Sequence, residues 1–213
     1  MAEYVPDMER ESVTQCGKPD GTVGWKTIEG MNEEHHAQIE WGLEHLPDID
    51  PRRILDIGCG GGVFTRHILE RYPGCTGCAL DISETCVEYS RGYNAEFIEG
   101  GRLDLRLGNV AEMPYDDGSF DLVVSNASHF FWPGLEHCFG EVARVMRPGA
   151  VLLLTSGLHV EERNILTYKP LADRGMNIVL DTELLALLRG AGIEAGCFVK
   201  PGDGFGAYVG VKV

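Results

Sequence analysis

Four glycines within five residues, at the end of a short apolar run, constrain this chain more than any other stretch: ILDIGCGGGVFT, Ile54 to Thr65. Glycine costs conformational entropy in a regular element, so a cluster this dense marks a place where something approaches the backbone closely. The apolar residues before it suit a buried strand, and Val63 onward suits a helix. The cluster therefore occupies a strand-to-helix turn.

Around that turn the pattern alternates. Strands are expected at Arg53 to Ile57, Cys75 to Asp81, Leu103 to Leu107, Phe120 to Ser125 and Val151 to Thr155. Between them, helical spacing appears at Val63 to Tyr72 (Phe64, Ile68, Tyr72) and at Leu135 to Met146, before the stop Pro148-Gly149. Ser83 is placed to cap a further helix. An earlier helix is expected after Asn32 as its cap, with Ile39, Leu43 and Leu46 on one face and Pro47 past its end. Thr182 to Arg189 reads as a late helix, followed by strands Ile193 to Val199 and Tyr208 to Val213 with only a short link between them. Repeated strand–helix alternation predicts a doubly wound, mostly parallel seven-stranded α/β sheet of Rossmann-like form, its last strand antiparallel. Residues 1–30 show no sustained period and are expected to form an arm or lid on a domain spanning 31–213.

The charge balance narrows the partners. With 18 Lys and Arg against 33 Asp and Glu, the net charge is −15. Such a surface repels nucleic-acid phosphates and anionic membranes. No apolar run reaches bilayer length, and the N-terminus lacks a secretory core. Seven cysteines, an odd number, read as reduced thiols in the cytoplasm. Cys75-x-x-Cys78 runs into a strand and has no second ligand pair, so no metal is expected.

In an open α/β sheet, ligands bind beyond the carboxyl ends of the strands. The glycine turn lacks the Lys of a phosphate-binding P-loop. Counted from Gly58 and Gly60, the third glycine of a dinucleotide fingerprint is Val63, which weakens the reading of an NAD-dependent dehydrogenase. What remains is Asp56, Gly58, Gly60 and Gly62. An acid at the strand end suits an ammonium group, and bare glycines before a helix suit a carboxylate. The second strand ends in Asp81, 19 residues after Gly62, where a carboxylate accepts both hydroxyls of a ribose. Ile82 then covers one face of a flat ring. Amino acid, ribose and ring together describe S-adenosylmethionine.

The segments ILDIGCGGG, ALDIS, LGNVAEMPYDDGSFDLVVSN and EVARVMRPGAVLLLT, in this order, resemble the class I S-adenosylmethionine-dependent methyltransferases. Within them the chain is most similar to the small-molecule branch that includes the ubiquinone and menaquinone biosynthesis enzymes. The resemblance implies that Asp56 holds the methionine ammonium and that Gly58, Gly60 and Gly62 line the methionine and ribose. It also implies that Asp81 binds the ribose hydroxyls and Ile82 packs on adenine. Asn109, where the family usually has Asp, keeps an acceptor for the adenine amine without charge assistance, and the Val110 N–H faces an adenine nitrogen. Asn126 lies beneath the sulfonium.

After the fourth strand, SHFFWPG (Ser128 to Gly134) is expected to border an acceptor. Phe130 and Trp132 would form an apolar wall, and His129 is the candidate general base. SNAS at Ser125 to Ser128 differs from the N-P-P-aromatic motif of enzymes that methylate DNA or glutamine. The expected activity is methyl transfer to a small molecule; the competing reading is a non-catalytic cofactor-binding sensor or partner subunit.

Overall fold

The inner parallel strands of the sheet come from stretches rich in consecutive apolar residues, because both faces of the sheet are covered there. In the computed structural model, which describes residues 10–213, the strands are β1 (Arg53–Ile57), β2 (Thr76–Asp81), β3 (Leu103–Leu107), β4 (Phe120–Asn126), β5 (Met146–Ser156), β6 (Ile193–Val199) and β7 (Gly206–Lys212). They form one sheet in the order β3-β2-β1-β4-β5-β7-β6. β1 to β5 pair in parallel, and β7 lies between β5 and β6, antiparallel to both. The final link needs no crossover helix, since antiparallel neighbours can be joined by a short turn.

The helices are α1 (Arg10–Gly17), α2 (Gly21–Leu43), α3 (Val63–Arg71), α4 (Glu84–Tyr93), α5 (Ala95–Glu99), α6 (Leu135–Val145), α7 (Lys169–Ala172) and α8 (Asp181–Gly190). Leu55, Ile57 and Leu80 point to one face, packing with Phe139, Val142, Leu184 and Leu188 of α6 and α8. Ile54 points to the other, packing with Ile39 of α2 and Phe64 and Ile68 of α3. Cys78 and Cys75 join opposite cores, so the CxxC pair is divided between the two faces, and all seven cysteines are free. Ser83 caps α4 as expected, accepting from the Cys86 N–H at 3.2 Å. Among the described residues no helix is long and apolar enough to cross a membrane.

Two local expectations are corrected, and one further segment is added. The second helix begins at Gly21, not after Asn32; Asn32 is buried in mid-helix, and its amide donates to the Gly61 carbonyl at 3.4 Å. The division between residues 30 and 31 thus falls inside α2. Pro148 and Gly149 lie within β5, because the chain passes from α6 into the strand at Met146. Residues 157–180, which carried no periodic signal, contain a 3-10 turn (Ile165–Tyr168) and α7, and Val160, Tyr168 and Leu171 pack there against Val13 of α1. This small third core lies over the site described next.

Candidate active site

The turn after β1 is held by its neighbour strand. The N–H groups of Gly58 and Cys59 both donate to the Leu80 carbonyl, at 2.8 and 3.1 Å. The Gly60 N–H donates to Oδ2 of Asp81 at 2.8 Å, and the Ser83 N–H donates to the other oxygen at 2.9 Å. Asp81 is thereby the joint between the glycine turn and the start of α4. Each carboxylate oxygen keeps a second lone-pair direction for a ligand hydroxyl.

The glycines serve different needs. Gly58, Gly60 and Gly62 all have positive φ, at 68°, 53° and 82°. A Cβ on Gly58 would meet the Ser128 side chain at 2.5 Å, one on Gly61 would meet Asn32 at 2.4 Å, and one on Gly62 would meet Asn94 at 2.2 Å. At those positions the close approach is made by the protein itself. A Cβ on Gly60 meets nothing within 4 Å, so this glycine faces open space. Gly62 does not border the cavity; it caps α3 in the left-handed conformation, which corrects its expected place along the ligand.

That open space belongs to a cavity of about 1180 Å³ at the carboxyl ends of the strands. It exceeds the roughly 300–1,000 Å³ of a typical small-molecule site, leaving room for two ligands. Asp56, Gly58, Gly60, Asp81, Ile82, Asn109, Val110 and Asn126 all border it. Ile82 is 43% exposed beside Asp81, an apolar group free to receive a ring. The Asn109 side-chain oxygen accepts from the Ala111 N–H at 3.0 Å, which fixes the turn that carries buried Val110. Asn126 accepts from Thr155 Oγ1 at 2.7 Å and from the Gln38 amide, so its orientation is set.

Asp56 is the least satisfied group. It is fully buried; one oxygen accepts from Thr65 Oγ1 at 2.6 Å and the other, Oδ1, has no partner. Burial, with the Asp81 charge adding to it, pushes its pKa up to about 7 against the Thr65 hydrogen bond. A cationic ligand group would favour the ionised form and displace the proton. Affinity for such a ligand should therefore rise with pH until Asp56 is ionised without it. From a pKa of about 7, roughly tenfold tighter binding is expected at pH 8 than at pH 6. Asp56→Asn, which has no proton to lose, should bind weakly and without that slope; titration calorimetry with S-adenosylhomocysteine across this window measures both.

The other expected residues divide. Phe130 and Trp132 border the cavity, and the Trp132 indole N–H donates to Ser128 Oγ at 3.0 Å. His129 does not border it. The ring is 2% exposed, lies 4.3 Å from the Phe130 ring, and burial lowers its pKa to about 4. The expected base is thus turned into the protein, where apolar neighbours hold it neutral. Two other histidines, His35 of α2 and His159 after β5, border the cavity instead. Sequence reasoning passed over His159, Tyr168, Leu171 and Met176. Their one available signal was position, since they follow the carboxyl end of a strand as Ser128 does.

Residues 54–149 match the family described as methyltransferase domain. That match spans somewhat less than half of the chain and makes this part similar to a methyltransferase domain, on a sheet with the strand order of the Rossmann-like methyltransferase fold. Over 134 residues it is 28% identical to malonyl-(acyl-carrier protein) O-methyltransferase of Methylococcus capsulatus, covering 63% of this chain and 47% of that protein. The chain therefore spans about half the length of this curated relative. Among solved structures, a methyltransferase in complex with the Haloferax volcanii Trm112 activator matches with a TM-score of 0.77 and 19% identity, over 97% of this chain and 99% of that one. Geranyl diphosphate C-methyltransferase of Streptomyces coelicolor, solved with S-adenosylhomocysteine, matches with a TM-score of 0.70 and 16% identity, over 94% and 88%. At these identities the two structures establish the fold alone.

Proposed function

We propose that this chain transfers the methyl group of S-adenosylmethionine to a small-molecule acceptor. The observation that carries the reading is the unpartnered Oδ1 of Asp56, a buried carboxylate oxygen on a residue of the cavity wall beside the glycine turn. Such a group is costly unless a ligand completes it, and an ammonium does so. Asp81 would receive the ribose hydroxyls, Ile82 and Val110 would flank the adenine, and Gly58 and Gly60 would lie along the methionine. Asn109 and Asn126 would complete the polar contacts. The cofactor supplies an activated methyl group on sulfur; the chain aligns an acceptor with it and excludes water.

The rest of the cavity lining includes the apolar side chains Phe131, Trp132, Tyr168, Leu171 and Met176 together with the charged Arg163, Lys200 and Asp203. A small molecule with a hydrophobic body and a polar group fits it. The relatives named above act on different acceptor classes with one scaffold, so the acceptor must be read from this part of the cavity and not from the fold. The free thiols suit a reducing compartment, in keeping with a cytoplasmic enzyme.

The arm has a place in this reading as a lid. Cys16, Gly17 and Pro19 border the cavity, and the Pro19 carbonyl accepts from Ser83 Oγ at 2.5 Å. Tyr4 and Val5, two apolar residues of the arm, lie outside the described residues. Hydrogen exchange should slow over residues 23–31 when S-adenosylhomocysteine is added; equal exchange with and without it would make the arm passive.

Transfer of labelled methyl from S-adenosylmethionine into metabolite pools tests the activity. Labelled product is expected. Tight cofactor binding with no transfer into any pool would favour the sensor reading, and a thermal shift with NAD but not with S-adenosylhomocysteine would favour the dehydrogenase.

A further inference from the structure

Beyond β5 the cavity wall contains a pair that the reading above does not use. His159 borders the cavity, and its Nδ1 is hydrogen-bonded to Oδ2 of Asp181, the first residue of α8. Asp181 is 7% exposed and rigidly held. Its Oδ1 accepts from the Tyr208 hydroxyl at 2.6 Å and from the Val160 N–H at 2.9 Å. The Cys197 thiol lies 3.7 Å from Oδ2. A buried carboxylate on Nδ1 fixes the imidazole in the tautomer whose proton is on Nδ1, leaving the Nε2 lone pair for another partner. In the structure Nε2 lies 3.2 Å from Oε1 of Glu161, which accepts from it only while Nε2 carries a proton. Glu161 is 41% exposed and also pairs with Arg163, so on a neutral ring the Nε2 lone pair is free for another partner once Glu161 moves aside. Such a surface contact is weak enough for a bound molecule to displace.

We propose that His159, oriented by Asp181, is the general base of the reaction, and that the acceptor atom is therefore a protonated oxygen or sulfur on an apolar body. The proposal rests on the methyltransferase reading. The arrangement has two of the parts that activate a nucleophile: an imidazole in the cavity wall and a buried carboxylate that orients it. Tyr168, Leu171 and Met176 follow His159 in the chain and border the same cavity, so base and apolar wall come from one segment. In the step, an acceptor lone pair forms the bond to the methyl carbon, and the carbon–sulfur bond breaks with its electron pair kept by sulfur. The acceptor proton passes to Nε2 of His159. The imidazolium so formed is stabilised by Asp181, and it returns the proton to solvent past Glu161. An amine acceptor needs no such base when it arrives unprotonated, whereas a hydroxyl or thiol gains nucleophilicity by losing its proton.

The groups that face this histidine are Asp181 from α8, Glu161 and Arg163 from its own loop, Tyr208 from β7 and Cys197 from β6, the last two through Asp181. The test uses the full chain loaded with S-adenosylhomocysteine and labelled with ¹⁵N-histidine. The neutral His159 ring should show its proton on Nδ1. The proton on Nε2 would overturn the proposal, because the lone pair would then face Asp181 and not the cavity. Calorimetry on the same samples separates this from the underlying reading: failure of S-adenosylhomocysteine to bind would refute the cofactor site, whatever the tautomer. With a panel of phenols, aliphatic alcohols, thiols and amines, turnover should appear only with hydroxyl or thiol members. His159→Asn should then lower kcat about 10²- to 10⁴-fold and leave cofactor affinity within threefold. Turnover confined to amines, or a variant whose kcat stays within threefold, would also overturn it.

Discussion

Gly60→Val is expected to weaken S-adenosylhomocysteine binding by more than about a hundredfold while the sheet remains folded. Gly60 sits at φ 53° with open cavity on the side where a Cβ would project. A β-branched side chain is strained there by about 1–3 kcal/mol and also occupies the space in which the ligand meets the backbone. Gly60→Ala carries the same conformational strain with much less intrusion, so it should lose less affinity and separate the two effects. Gly58→Val and Gly62→Val are expected to behave differently. Their side chains would strike Ser128, or Asn94 and Ser90, and the main effect should be a lower melting temperature. Calorimetry and thermal melts on the four variants decide this. Normal affinity in Gly60→Val would mean that this glycine serves the turn alone.

Asp81→Ala should be the most damaging single side-chain deletion in the site. Its two oxygens hold the Gly60 and Ser83 N–H groups, and a hydrogen bond to a charged acceptor contributes about 1.5–3 kcal/mol. Removing the carboxylate leaves both donors without their acceptor, in a place that is 93% enclosed by the fold. Cofactor affinity should fall by at least about two orders of magnitude, and stability by about 2–4 kcal/mol in urea melts. Asp81→Asn keeps one acceptor oxygen and should lie between. A folded Asp81→Ala protein with unchanged affinity would put the ribose elsewhere.

The sheet was legible because its strands are local. Arg53 to Ile57, Leu103 to Leu107 and Ile193 to Val199 have the same bounds in the structure as in the sequence reading. The start of α2 was not legible. Its buried face there uses Gly24, Ile28 and Asn32, of which only Ile28 registers as apolar, and glycine is a poor helix former. Gly24 is chosen for close packing, since a Cβ would meet the Pro19 backbone at 2.9 Å.

The site divides along the same line. Asp56, Gly60, Asp81 and Ile82 lie at or just past the carboxyl ends of two adjacent strands, which parallel pairing places side by side. What Gly58 and Gly62 accommodate could not be read, because Ser128, Ser90 and Asn94 reach the turn from far along the chain. His129 looked like the base because it follows β4, yet a 3-10 turn over His129–Phe131 rotates the ring into the core. His159 and Asp181 are 22 residues apart in a region without periodic signal, and only the tertiary fold joins them.

The central claim is that the cavity beside the glycine turn holds S-adenosylmethionine through Asp56 and Asp81. A crystal structure of the chain with S-adenosylhomocysteine tests it most directly. The account predicts the ligand amino group within hydrogen-bonding distance of Asp56 Oδ1 and the ribose hydroxyls on Asp81. A ligand bound elsewhere, or one whose amino group leaves Asp56 Oδ1 unpartnered, would contradict it.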